Sequence, residues 1–324
     1  VDRSRIAVFL LGPLPIVAAS FGITQWWRSG GTTEISGNHV LHADEPRPTS
    51  AATGSADDLA RRYGNPLTAA CDERAAIWRK RLGDECRVIV GAPFVVAGNL
   101  SDAQLDQWLK QTIAPAARSL GKSFFDKAPT EPITVLLFSD EPNYNHFAKQ
   151  LFGDEGISVY GYYKSDQRTL VMNISTGGGT LVHELTHALI DFDFPQVPDW
   201  FNEGLASLYE QCRFLPNEAG LEGLPNWRLP GLQTAVREGR LRSLAQLIAD
   251  DDFRGKDVGL NYAQARYFCL YLQERELLEE FYRRFRAAYD KDPRGQATAL
   301  GLFPPHDWPE VDRKFQEWVL TLER

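Results

Sequence analysis

The segment His183-Glu-Leu-Thr-His187 constrains this chain more than any other. A helix brings residues four apart onto one face, so both imidazoles can reach one cation while Glu184 stands beside them. Around the motif, Leu181, Val182, Leu185, Ala188, Leu189 and Phe192 recur with helical period, and Thr180, His183, Glu184, His187 and Asp191 share the opposite side. An amphipathic helix is therefore expected here, opened by Gly177, Gly178 and Gly179. The competing reading, a helix with two ordinary surface histidines, leaves the residues that follow unexplained.

Two imidazoles leave a catalytic Zn²⁺ short of its usual three protein ligands. Pro195 and Pro198 end the first helix, and Asp199 is placed to cap a second one running through Trp200, Phe201, Leu205, Ala206, Leu208 and Tyr209. Glu203, sixteen positions after His187, falls about one turn inside that second helix. A return of the chain would bring its carboxylate to the metal. Asp191, Asp193 and Asp199 are rival carboxylates, since either acid binds zinc.

His183-Glu-Leu-Thr-His187 followed by Trp200-Phe-Asn-Glu203-Gly-Leu-Ala resembles the gluzincin metallopeptidases, in particular the bacterial peptidase MA-like proteins with a short catalytic domain. The resemblance runs from about Val88 to the helix containing Tyr262-Ala-Gln-Ala-Arg266 and is concentrated in residues 177–210. It implies an α+β, zincin-like catalytic domain with a small mixed sheet, an active-site helix carrying the motif and a helical C-terminal part. His183, His187 and Glu203 are then the Zn²⁺ ligands, and Glu184 is the general base that takes a proton from water attacking a peptide carbonyl. The same resemblance calls for an oxyanion donor on a helix beyond the glutamate ligand. Tyr262 matches best, with Arg266 as the alternative. It also points to Leu170–Ile174, in the second of two strands expected within 157–174, as the strand that holds an extended peptide. Many gluzincins carry an acid four positions after the ligand glutamate. Here that position is Ser207, which leaves Glu210, Asp191 and Asp199 to support a histidine N–H. The metzincin pattern needs Gly and His where this chain has Ile190 and Asp193 and is excluded.

The rest of the chain frames this unit. Residues 1–23 place Arg3 and Arg5 before an apolar run from Ile6 to Ile23, as in a secretory signal or an uncleaved N-terminal membrane anchor. Residues 24–56, rich in Gly, Ser, Thr, Pro and charge, read as a disordered linker, with His39 and His42 solvated within it. Residues 57–324 suffice for one catalytic domain, α/β over 57–176 and helical over 177–324. Its expected elements are a helix from Asp57 toward Leu82 broken at Gly64 and Pro66, a strand over Arg87–Ala97, a helix over Asp102–Leu120, a strand over Ile133–Phe138 and a helix over Pro142–Phe152. Beyond Glu210, helices are expected near Leu232–Glu238, Ser243–Ala249, Tyr262–Glu274, Glu276–Tyr289 and Asp307–Leu322.

A formal charge of −8 gives no basic footprint for nucleic acid. The expected partner is a peptide or protein substrate outside the cytoplasm. The alternatives are a zinc-binding scaffold of the same fold without activity, and a zinc amidase acting on a cell-wall substrate. Export would favour disulfides, preferably Cys71–Cys86 and Cys212–Cys269; four reduced, buried cysteines are the competing expectation.

Overall fold

The structure is a computed structural model that describes residues 65–216 and 220–323. The expected leader at 1–23 and linker at 24–56 lie outside the described residues, as do His39 and His42. Among those described, no helix is long and apolar enough to cross a membrane.

Helix α1 (Asn65–Leu82) opens the described chain, with Arg79, Lys80 and Arg81 in its last turn, where the helix dipole favours cations. Pro66 is its second residue. The expected break at Gly64 and Pro66 falls where the described residues begin, and the first turn of a helix tolerates the missing N–H of Pro66. Strands β1 (Arg87–Gly91) and β2 (Phe94–Gly98) form an antiparallel hairpin around Ala92-Pro93. One continuous strand was expected there; Pro93 cannot donate to a ladder, and the chain reverses at it. Helix α2 (Asp102–Trp108) carries a reciprocal cap between Ser101 and Gln104 and passes through a π-type turn at Leu109–Ile113 into α3 (Ala114–Ser123). Then come β3 (Ile133–Phe138) and α4 (Glu141–Phe152), the latter capped by Asp140 and ended by left-handed Gly153.

Strands β4 (Gly161–Lys164) and β5 (Thr169–Asn173) complete a five-stranded sheet of order β1-β2-β3-β5-β4. Pairing is parallel for β2–β3 and β3–β5 and antiparallel at both edges. The expected substrate strand is corrected by this order. Residues 169–173 form β5, hydrogen-bonded on both sides, and the outer strand is β4. Local sequence shows that both segments are strands, but which of them lies outermost is decided by long-range pairing.

Alternation along the strands feeds two cores. Phe94, Val96, Val135, Leu137, Leu170 and Met172 face α2, α3 and the motif helix α5 (Gly178–Asp193), whereas Val95, Ala97, Leu136, Phe138 and Val171 face α1 and α4 through Trp78, Tyr144 and Phe147. Truncating one of these, Leu136→Ala for instance, would cost about 2–5 kcal/mol.

Helix α6 (Asp199–Leu208) follows the motif helix and leads into a short hairpin, β6 (Cys212–Phe214) and β7 (Leu221–Gly223), that the sequence reading missed. Three-residue strands hold too few positions to show a period. The remaining helices, α7 (Leu229–Arg237), α8 (Leu244–Ala249), α9 (Val258–Gln273), α10 (Leu278–Ala288), α11 (Gln296–Leu300) and α12 (Trp308–Thr321), extend the core that covers α5 and α6. All four cysteines are free and buried, so neither of the preferred disulfides is formed. Burial pushes the Cys71 and Cys86 thiols up to about 11, and they pack as small apolar groups.

Candidate metal centre

Two glycines set the distances on which the centre depends. A Cβ on Gly179, in the first turn of α5, would lie 2.1 Å from the carbonyl oxygen of Glu210, so only glycine lets the chain beyond α6 touch α5 there. A Cβ on Gly204 would lie 3.0 Å from the carbonyl oxygen of Ala265 and 3.1 Å from Cys269 Sγ, marking the close approach of α6 and α9. The first contact draws Glu210 toward His183, and the second draws Glu203 toward Tyr262.

On α5 the imidazoles of His183 and His187 meet edge to face, with their Nε2 atoms 3.0 Å apart. Glu203 Oε2, arriving from α6, lies 3.4 Å from one Nε2 and 3.6 Å from the other. Among the described residues these three form the group of donors able to hold a metal ion. The circle through three atoms so spaced has a radius of about 1.9 Å, close to the roughly 2.0–2.2 Å that zinc keeps from nitrogen and carboxylate oxygen.

A neighbouring hydrogen bond orients His187. His187 Nδ1 lies 2.9 Å from the amide oxygen of Asn202, which can only accept, so the ring proton sits on Nδ1 and Nε2 presents a lone pair. His183 Nδ1 faces Glu210 Oε1 at 3.3 Å, an ion-pair distance without hydrogen-bond geometry. Glu210 is itself held by Arg228 at 2.8 Å and by Asn226 at 3.4 Å. Glu203 Oε2 is buried without a hydrogen-bond partner. The two Nε2 atoms and a carboxylate oxygen without a hydrogen-bond partner thus face one small triangle, an arrangement that a cation would satisfy.

With no cation, protons must supply the positive charge. Burial opposes a charged His183, but Glu203, Glu210 and Glu184 overcome this and push its pKa up to about 10. Burial likewise works against the Glu203 carboxylate, yet His187 and Arg254 hold it well below the ordinary range. Glu210 is lowered to about 2, chiefly by Arg228 and His183 acting against its burial. Glu184 is shifted the other way. Its burial, reinforced by the Glu203 and Glu210 carboxylates, raises its pKa despite the two histidines.

The sequence-predicted residues now have positions. His183, His187 and Glu203 converge, Glu184 is buried on the same helix, and Tyr262 from α9 lies beside Glu203 and accepts a hydrogen bond from Arg254 at 3.0 Å. The rival carboxylates are engaged elsewhere. Asp191 pairs with Arg168 at 2.8 Å, and Asp193 accepts from the backbone N–H groups of Asp126 and Lys127, from Tyr282 and from Arg286. Asp199 faces Arg254 and does not cap its helix, whose N-cap is Pro198. Arg266 is buried against the carbonyls of Ser207, Leu208 and Leu224, where it caps the end of α6, away from the three converging residues.

Of the candidates for a histidine partner, Glu210 is in place, while Asp191 and Asp199 are not. Ser207 keeps its hydroxyl buried without a partner. Two residues escaped the sequence reading: Asn202, because only acids were weighed as partners, and Arg254, which lies in an irregular segment 51 positions from Glu203. No family model matches the chain, and no curated protein matches it.

Proposed function

We propose that the chain is an extracytoplasmic zinc-dependent metallopeptidase with a zincin-like catalytic domain, of the gluzincin kind and resembling bacterial peptidase MA-like proteins. The observation that carries this reading is the convergence of the His183 and His187 Nε2 atoms on Glu203 Oε2, which has no hydrogen-bond partner, with Glu184 one residue along the same helix. When bound, zinc would polarise a carbonyl and make water in its remaining position more acidic. Glu184 takes the proton of the attacking water and passes it to the departing amine, and burial raises its pKa above the ordinary carboxylate value, which strengthens it as a base. Tyr262 has its pKa raised by burial and by Glu203, so its hydroxyl stays protonated and donates to the oxyanion.

An extended peptide fits along β4, the outer strand, which packs beside α5. The bond from Asn173 N–H to the Tyr160 carbonyl, 3.0 Å, turns residues 160, 162 and 164 toward β5 and leaves the backbone of the buried Gly161 and Tyr163 directed away from β5. Main-chain pairing of this kind tolerates varied side chains. Placement outside the cytoplasm rests on the apolar run behind Arg3 and Arg5.

The test compares the full chain with Glu184→Gln on a broad peptide library and on cell-wall amides, with zinc content measured for both. The reading predicts equal zinc and peptide cleavage by the wild type alone. Zinc without cleavage of any peptide favours a scaffold, and cleavage of the cell-wall amide alone favours an amidase.

A further inference from the structure

We propose that Arg254 is a positioning residue that keeps Glu203 a one-oxygen ligand and thereby preserves the vacant coordination place. The inference rests on the metal reading given above. Glu203 has two carboxylate oxygens with different surroundings. Oε2 faces the two imidazole nitrogens and has no other partner, whereas Oε1 accepts a hydrogen bond from Arg254 Nη2. A carboxylate free to turn would bring both oxygens to the metal and fill the position that water and substrate need. A charge-assisted bond to a guanidinium opposes that turn.

Arg254 is held in place from several sides. Its Nε faces Asp199 Oδ2 at 3.4 Å and its Nη1 donates to the Tyr262 hydroxyl at 3.0 Å. Asp199 and Glu203 stand four residues apart on α6, and Tyr262 belongs to α9, so one planar cation joins two helices. The backbone on either side of Arg254 is tied as well. Asn261 Nδ2 donates to the carbonyls of Phe253 at 2.9 Å and Lys256 at 3.2 Å, and the buried Phe253 ring packs on Tyr262 with centroids 5.2 Å apart. A guanidinium with three partners at fixed angles is a means of orienting a carboxylate, beyond what neutralising its charge requires.

The probe is Co²⁺, added to the metal-free full chain of the wild type, Arg254→Gln and Arg254→Lys. Four-coordinate cobalt absorbs strongly in the visible, and a fifth ligand atom weakens the band. The wild type is expected to show the strong band, Arg254→Gln to lose most of its intensity while still binding cobalt, and Arg254→Lys, which keeps a cation beside Oε1, to retain it. A merely structural role would lower the melting temperature of Arg254→Gln and leave the spectrum of its folded, cobalt-loaded fraction unchanged. That unchanged spectrum overturns the inference. A second measurement needs no variant: the infrared difference spectrum of the wild type, loaded minus stripped, is expected to show the wide carboxylate splitting of one-oxygen binding. A narrow splitting overturns the inference even if Arg254→Gln does not fold. If the wild type takes up no cobalt, the metal reading itself falls, an outcome distinct from both.

Discussion

Replacing Gly179 with alanine tests how the centre is assembled. The new Cβ would stand 2.1 Å from the Glu210 carbonyl oxygen and 3.0 Å from its carbon, where ordinary contact begins at 3.4 Å, so about 1.3 Å must be recovered between two backbones. No rotamer change can supply it. Overpacking of this kind costs about 1–3 kcal/mol, and because a contact of backbone on backbone cannot relax, the upper part of that range applies; less a gain of up to about 1 kcal/mol from the better helix propensity of alanine, the net loss is about 2 kcal/mol. The displaced segment carries Glu210, which faces His183 Nδ1 at 3.3 Å, so the site suffers along with the fold. Loss of such a histidine partner typically weakens metal binding about 10–100-fold. Urea unfolding and chelator competition for zinc read the two effects separately. Gly231→Ala is the control, because its Cβ in α7 meets nothing within 4 Å, and it should stabilise slightly with unchanged zinc affinity. A Gly179→Ala protein as stable as the wild type and as tight for zinc would refute the packing argument.

Further outcomes follow from the same geometry. Glu210→Gln and Asn202→Ala should each weaken zinc binding about 10–100-fold without abolishing it, as read by chelator competition; an unchanged affinity would remove these residues from the centre. Zinc binding near pH 7 should release a proton from His183, whose metal-free pKa stands at about 10, so the calorimetric enthalpy should vary with the ionisation enthalpy of the buffer. Because that folded pKa is raised above the ordinary 6.5, the stability it gives the stripped protein is complete below about pH 6.5. It is lost as pH rises through about 10, which urea melts of stripped protein across that window would show. Arg286→Met should cost about 3 kcal/mol in urea unfolding, since it strands the buried Asp193 carboxylate at the end of α5; a loss below about 1 kcal/mol would mean that Tyr282 and two backbone N–H groups suffice.

The elements that the sequence announced are those whose signal is local. The apolar run of β3, the helical period around His183 and the return of apolar residues after Pro198 each specify an element by themselves, and the short return between them already placed Glu203 within reach. What escaped depends on partners far along the chain. Nothing near Leu170 shows that β5 is paired on both sides, and nothing near Arg254 shows that it meets Glu203. Pro93 passed unremarked inside a single expected strand, but it turns a hairpin, because proline is tolerated where an N–H has no ladder partner to lose. Asn202 was missed for a chemical reason: an amide oxygen orients an imidazole as well as a carboxylate does.

The central claim is that His183, His187 and Glu203 together hold one zinc ion. X-ray absorption at the zinc edge of the loaded full chain tests it most directly. The account predicts one zinc per chain, with two imidazoles and light oxygen ligands at about 2.0–2.2 Å. Sulfur scattering at about 2.3 Å, from any of the four free cysteines, or zinc lost on simple dialysis, would contradict it.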